Sequence, residues 1–257
     1  MKRYDRMRKI HDFLNEHGNV STVVLAKMLD ISESSVRRDI NYMISLEEYK
    51  NIERVHGGLI LNRYRSDLEY MFELKLDLNR NLKLAVARAA TKFIDDKDNI
   101  IIDSGTTCLY FAQSLQNKKG LRVITTDVRI AEELAKYSDI ESNIIGGIVR
   151  PGYYTVGGIN ALDNLDRFSV NKVFMSVDAI DLEHGITNTT EFEVGVKRKI
   201  IKSAKRVYIL TDHTKFGKHM LYRVSGISGI MTIITNKNLD PTTCDRFRKA
   251  GIDLTLV

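Results

Sequence analysis

The feature that most restricts what this chain can fold into is an alternation. The helical stretch "LKLAVARAATKFI" passes to the apolar run "NIIIDS", the helix "TTCLYFAQSLQ", the run "LRVITT", the helix "DVRIAEELAKY" and the run "SNIIGG". Further runs follow at "KVFMSVDAI", "RVYILTD" and "IMTIIT". Strands that are apolar at every position have to be covered on both faces, and helices that return the chain between them make neighbouring strands parallel. The pattern predicts a C-terminal α/β domain with a mainly parallel sheet over residues 75–257.

In such sheets ligands collect at the carboxyl ends of the strands. Those ends carry Asp103, Ser104, Gly105, Thr106 and Thr107; then Thr125, Thr126 and Asp127; Gly146, Gly147 and Arg150; Asp178; and Asp212 with Lys215. Gly105 lets the backbone turn closely, and the N–H groups of Thr106 and Thr107 at a helix start form a cradle for an anion. Asp103 suits ligand hydroxyls, while Arg150 or Lys215 offsets phosphate charge. A phosphorylated sugar or polyol meets both demands. A plain strand-to-helix turn capped by Ser104 or Thr106 would explain "DSGTT" alone, but not matching chemistry at four other strand ends.

Several classes are disfavoured. Neither GxGxxG nor GxxxxGK[ST] occurs, which argues against dinucleotides and ATP, and no cofactor is expected. His11, His17, His56, His184, His213 and His219 show no HxH or HExxH spacing, so no metal site is expected. Cys108 and Cys244 lie too far apart to suggest a disulfide framework and read as buried thiols. No apolar run approaches the roughly 20 residues of a membrane span, and the first residues lack a signal-like apolar segment; the expected location is the cytoplasm.

The N-terminal part has a different texture. From Tyr4 to His17, Met7, Ile10, Phe13 and Leu14 recur at helical period, and Gly18 and Asn19 stop the helix. Ser21 caps a second helix with Val24, Leu25 and Met28 inward. Ser32 caps a third, striped by Val36, Ile40 and Met43, with Glu33 complementing its positive end. Three short helices with a tight turn before the last describe a helix-turn-helix. Ser34, Ser35, Arg37 and Arg38 lie off the apolar stripe, where short hydroxyls and guanidinium forks reach base edges and phosphates of double-stranded DNA. "NIERVHGGLILNRYR" then reads as a winged hairpin with Arg54 and His56 near the phosphate backbone, and a basic connector through Arg63 and Arg65. The N-terminal all-α/winged helix-turn-helix domain is expected over 1–58, with a connector over 59–74. The net charge of +6 fits a polyanionic partner. A single such domain makes few base contacts, so a homo-oligomer, dimer or tetramer, is expected.

Taken in order, "SSVRRDI", "RVHGG", "IDSGTT", "VITTD", "GGIVR", "EVGVKRKII" and "TDHTKFG" resemble the DeoR (GlpR-like) family of bacterial transcriptional regulators across nearly the whole chain. The resemblance implies a winged helix-turn-helix joined to a sensor domain similar to ribose-phosphate isomerases. It implies repression of sugar or polyol operons, relieved by a phosphorylated intermediate. It carries effector roles onto Asp103, Gly105, Thr106, Thr107, Arg150, Asp178 and Lys215, and adds Glu193 in "EFEVG". The alternative is a sugar-phosphate isomerase with an N-terminal appendage, in which Asp103, Asp178 or Glu193 is the base and Lys215 stabilises an oxyanion.

Overall fold

The computed structural model describes residues 2–46, 49, 52–55, 57–61 and 72–257. His56, Arg63, Arg65 and most of the expected connector lie outside the described residues. The chain divides into two compact units, Met1–Leu78 and Asn79–Val257.

In the first unit, α1 (Arg3–His17) buries Met7, Ile10 and Leu14 and ends at Gly18, whose left-handed backbone lets its N–H reach the Leu14 carbonyl. β1 (Asn19–Ser21), α2 (Thr22–Leu29) and α3 (Glu33–Met43) follow. Ser21 accepts a hydrogen bond from the Val24 N–H and Ser32 one from the Ser35 N–H, so both expected caps form. Val36, Ile40 and Met43 share one core with the buried face of α1. Met28, expected inside, is instead 38% exposed, and Val24 is only partly buried. With two turns, α2 has room for one inner line, and that line runs through Thr22, Leu25 and Leu29.

β2 (Ile52–Val55) and β3 (Gly58–Leu61) pair antiparallel, and β1 adds to the other side of β3. The second strand of this wing runs to Leu61, so an end at residue 58 would cut through the hairpin. α4 (Phe72–Asp77) is the last element of the unit.

The second unit runs α5 (Arg80–Ala90), β4 (Asn99–Ile102), α6 (Thr106–Gln113), β5 (Leu121–Thr125), α7 (Val128–Leu134) and β6 (Ile140–Ile144). It continues with β7 (Ile148–Val149), β8 (Val156–Gly157), α8 (Ile159–Leu165), β9 (Val170–Ser176), β10 (Ala179–Asp181) and β11 (Gly185–Asn188). It closes with α9 (Val194–Lys202), β12 (Ala204–Leu210), β13 (Tyr222–Ser225), β14 (Met231–Thr235), α10 (Pro241–Lys249) and β15 (Asp253–Leu256). Seven strands form one sheet in the order β15-β14-β12-β9-β4-β5-β6, every neighbouring pair parallel. β5 and β6 lie on one side of β4, and β9, β12, β14 and β15 on the other. The strand order therefore reverses between β4 and β9, and the carboxyl ends of these two strands flank the crevice where such sheets bind ligands.

The segment "KVFMSVDAI" is not one strand. β9 leaves the large sheet at Ser176, and β10 joins a separate antiparallel sheet with β11 and β13, with Asp178 in the connection. Ser176 and Asp178 mark the end of β9, but nothing in the apolar Ala179 and Ile180 that follow shows that they start a strand of another sheet. Among the described residues, no helix is long and apolar enough to cross a membrane.

Candidate functional site

The face of α3 opposite its apolar stripe carries Ser34, Arg37 and Arg38, all exposed, with Ser35 half-buried beside them. Ser32, besides capping the helix, lies 2.9 Å from the Ser34 hydroxyl and 3.0 Å from that of Ser35. Arg38 donates to the Ser35 hydroxyl at 3.1 Å, and Arg37 pairs with Glu33 at 3.3 Å. Arg54 reaches back from β2 to Asn41 of α3, so wing and helix present one polar surface. The helix is oriented from behind by Asp39, which is buried and takes Arg6 at 2.6 Å and Arg3 at 3.1 Å, both from α1. Asp39 escaped the sequence reading. As a carboxylate one residue before the stripe residue Ile40, it needed basic partners on another helix, and only the fold supplies that pairing.

In the second unit the chain leaves β4 through Asp103 and turns sharply. The Asp103 N–H donates to the Phe174 carbonyl at 2.9 Å and the Ser176 hydroxyl to the Ser104 carbonyl at 2.7 Å, which stitches the turn to β9. Gly105 sits at φ +106°, and a Cβ there would lie 2.6 Å from Ser176 Oγ, so only glycine fits. Because Gly105 is the N-cap, no side-chain cap takes the first-turn N–H groups of α6, where Thr106 and Thr107 are buried. This is the geometry of an anion cradle.

Asp127 caps α7, accepting from the N–H groups of Arg129 at 2.8 Å and Ile130 at 3.1 Å, while its second oxygen accepts from the Gly105 N–H at 3.1 Å. Burial pushes this carboxyl up to about 6, the three N–H donors pulling the other way and Asp103 adding to the rise. Asp127 thus holds the Gly105 turn in place with both oxygens engaged. Gly147 is needed for close approach, since a Cβ there would meet the Gly157 carbonyl at 2.5 Å. Thr126, the residue after β5, is fully buried.

Asp103 is itself buried and paired with Lys197 of α9, which is also buried and donates to the Ser176 carbonyl at 3.0 Å. Burial pulls the Lys197 ammonium down, but Asp103 and Glu193 outweigh it and hold the group above its ordinary value. Glu193 lies 3.9 Å from Lys197 and accepts from Arg150 at 3.2 Å and from the Asn188 amide nitrogen at 3.0 Å. The Arg150 guanidinium lies 4.0 Å over the Tyr153 ring. Asp178 accepts from the N–H and hydroxyl of Thr189 at 3.1 and 3.0 Å.

Thus Asp103, Ser104, Gly105, Thr106 and Thr107 form one turn, Asp127 from the next strand end holds it through the Gly105 N–H, and Lys197 links it to Glu193 and Arg150. Lys215, half-buried, stands in the separate turn His213–Lys215 capped by Asp212. Each carboxylate that an isomerase would use as a base, Asp103, Asp178 and Glu193, is held by a cation or by hydrogen-bond donors. Lys197 and Asn188 were missed. The signal for Lys197 was its position on the buried face of α9 between Val194 and Ile200, where a cation needs a buried counter-charge. Among the described residues, Asp181, Glu183 and His184 form the one cluster with metal-ligand spacing. Asp181 there caps its own turn through the N–H groups of Glu183 and His184.

Residues 6–65 match the DeoR-like helix-turn-helix domain and residues 78–237 the DeoR C-terminal sensor domain. The chain is 39% identical over 255 residues to the transcriptional regulator assigned to the sgc region of Escherichia coli (strain K12), covering 99% of this chain and 97% of that one. It is 31% identical over 254 residues to the transcriptional repressor GlcR of Bacillus subtilis (strain 168), covering 99% and 96%. Ribose 5-phosphate isomerase A of Neisseria gonorrhoeae superposes on 57% of this chain and 56% of its own with a TM-score of 0.39 and 17% identity.

Proposed function

The chain belongs to the DeoR family of DNA-binding transcriptional regulators, and from that premise we propose that it represses an operon of sugar or polyol metabolism and releases DNA when a phosphorylated sugar or polyol binds its sensor unit. The observation that carries this reading is the grouping at the strand-order reversal. A helix start capped only by Gly105 lies beside one cluster of ion pairs formed by Asp103, Lys197, Glu193 and Arg150. The first suits a phosphate and the others suit hydroxyls and charge. In this reading Asp103, Ser104, Gly105, Thr106 and Thr107 cradle the ligand, with Thr126, Asp127 and Gly147 shaping its walls. Arg150, Asp178, Glu193 and Lys215 contact its polar groups. Ser34, Ser35, Arg37 and Arg38 read operator DNA, Ser32 positions them, and Arg54 and His56 contact the phosphate backbone. The protein works in the cytoplasm as a homo-oligomer, dimer or tetramer, that spans paired half-sites.

By linkage, a ligand that favours the DNA-free form must itself bind more weakly when DNA is present, by the same factor. The test is capture of fragmented genomic DNA by the full-length protein at moderate salt, repeated with a panel of sugar and polyol phosphates. Enrichment of a few upstream regions, released by one phosphate, is the expected result. DNA recovery that is nonspecific and falls only with salt would overturn the operator claim. Specific recovery that no phosphate alters would overturn the effector claim alone.

A further inference from the structure

Asn188 ends β11 and is 1% exposed. Its amide nitrogen donates to Glu193 Oε2 at 3.0 Å, and the other oxygen of that carboxylate takes Arg150 at 3.2 Å. A carboxylate only accepts hydrogen bonds, so the orientation of the amide is not a free choice. The NH2 group must face Glu193, and turning it over would press two acceptors together. Fixed in this way, Asn188 Oδ1 is a buried acceptor with no hydrogen-bond partner. The neighbouring cations are already engaged, Arg150 by Glu193 and Lys197 by Asp103 and the Ser176 carbonyl. The next residue, Thr189, is turned away to Asp178 through both its N–H and its hydroxyl.

Buried polar atoms in folded proteins are almost always partnered, and the exceptions gather where something else binds. From this acceptor we infer that Asn188 is a specificity-determining residue for the effector, its Oδ1 receiving a hydrogen bond from a hydroxyl on the part of the ligand away from the phosphate. The inference rests on the reading of this cluster as the effector site. The partner has to be a donor. A phosphate dianion, a ketone or a carboxylate brings only acceptors to this point, whereas an alcohol on a sugar or polyol brings the missing proton. Thr126 Oγ1, also buried without a partner, differs in kind, since a hydroxyl can donate or accept and so discriminates less. A site built around an unmet acceptor rejects an analogue lacking the donor, because the amide oxygen then stays unpaired beneath it.

The experiment uses the full-length protein and isothermal titration with inorganic phosphate, ribose 5-phosphate, glucose 6-phosphate and glucitol 6-phosphate. It continues with the series of monodeoxyfluoro analogues of whichever organic phosphate binds. Fluorine keeps the size of a hydroxyl and removes its donor. The wild-type protein is expected to lose about tenfold or more in affinity at one ring or chain position. In Asn188→Leu the parent and that analogue should bind within about twofold of each other, while operator DNA is still bound. Equal binding of every fluoro analogue by the wild-type protein overturns the inference without any variant. So does undiminished discrimination in Asn188→Leu or, should that variant fail to fold, in Asn188→Val, which likewise has no side-chain acceptor. If the wild-type protein binds none of the organic phosphates, the effector reading itself falls, a result distinct from binding without discrimination.

Discussion

The two units keep the polar groups of their candidate sites under opposite conditions. On α3, Arg37 and Arg38 are exposed, and their partners Glu33 and Ser35 belong to the same helix. In the sensor unit, Asp103, Asp127 and Lys197 are buried, and each is fixed by a group distant in sequence. A surface that must meet DNA can exchange weak, hydrated contacts for phosphates and bases with little loss. A sensor that must tell one small molecule from another needs its groups set beforehand, and here the buried charges of Asp103 and Lys197 already neutralise each other within the fold.

The sharpest way to break this contrast is to remove one half of the buried pair. Lys197→Met leaves the Asp103 carboxylate buried without its cation and should destabilise the sensor unit by about 3–5 kcal/mol, read as a lower urea midpoint by circular dichroism. Adding Asp103→Leu should recover much of the loss, because an apolar pair replaces an uncompensated charge. An unchanged midpoint in the single variant would mean that the two units differ less than their burial suggests.

Asp127 supplies a pH test of the same idea. Its folded-state pKa, about 6, stands above the ordinary 3.8, so the folded state holds a proton that the unfolded chain has released between those values. Stability from this group is therefore fully present below pH 4 and is lost as pH rises through 6, with a span of about 3 kcal/mol. Asp127→Asn removes that slope, so the difference in unfolding free energy between wild type and variant should shrink by up to this amount from pH 4 to pH 7. A constant difference would show that the carboxylate is ionised throughout. Asp95, Glu133, Asp181 and Asp240, whose partners hold them below the ordinary carboxylate range, titrate the opposite way, and comparing the two proteins at each pH cancels them.

Asp39 lies between the extremes. It is buried, but Arg3 is half exposed, so water shares in holding the pair. Asp39→Ala should destabilise the N-terminal unit by roughly 2 kcal/mol, less than a fully buried pair would. Operator binding should weaken as α3 loses its brace, which a filter-binding titration would measure. Unchanged DNA affinity would detach the brace from the reading helix.

How far the sequence revealed each unit follows from the same contrast. The caps Ser21 and Ser32, the stripe Val36–Ile40–Met43 and the basic face beside it are local, so spacing alone exposes them. The parallel sheet is legible from its apolar runs, and "DSGTT" marks the turn at the strand-order reversal because glycine and hydroxyl residues are conspicuous after isoleucine. Lys197 and Asn188 were hidden because their meaning lies in partners far away in sequence or in a lone unmet acceptor. The small antiparallel sheet was hidden for a related reason, since Ala179 and Ile180 are equally apolar whether they continue β9 or start a new sheet. Asp127 was visible as a strand-end residue, yet its hydrogen bond from the Gly105 N–H needed the fold.

The smallest expected effect on folding is also the most informative about the reader. Arg37 pairs with Glu33 four residues earlier, both side chains being about half exposed, and such a pair contributes under about 0.5 kcal/mol. Arg37→Ala should leave the unfolding midpoint of the N-terminal unit where it is. Its effect should appear only against DNA. If the guanidinium meets a phosphate, affinity falls evenly across sequences and the salt dependence loses about one counterion. If it meets a base edge, about 1–3 kcal/mol disappears for the operator while random DNA is bound as before. Titrating operator and scrambled duplexes at several salt concentrations separates the two. A variant that binds both like the wild type would remove Arg37 from the interface and move the reading face toward Ser34 and Arg38, which share the side of α3 opposite the Val36 stripe.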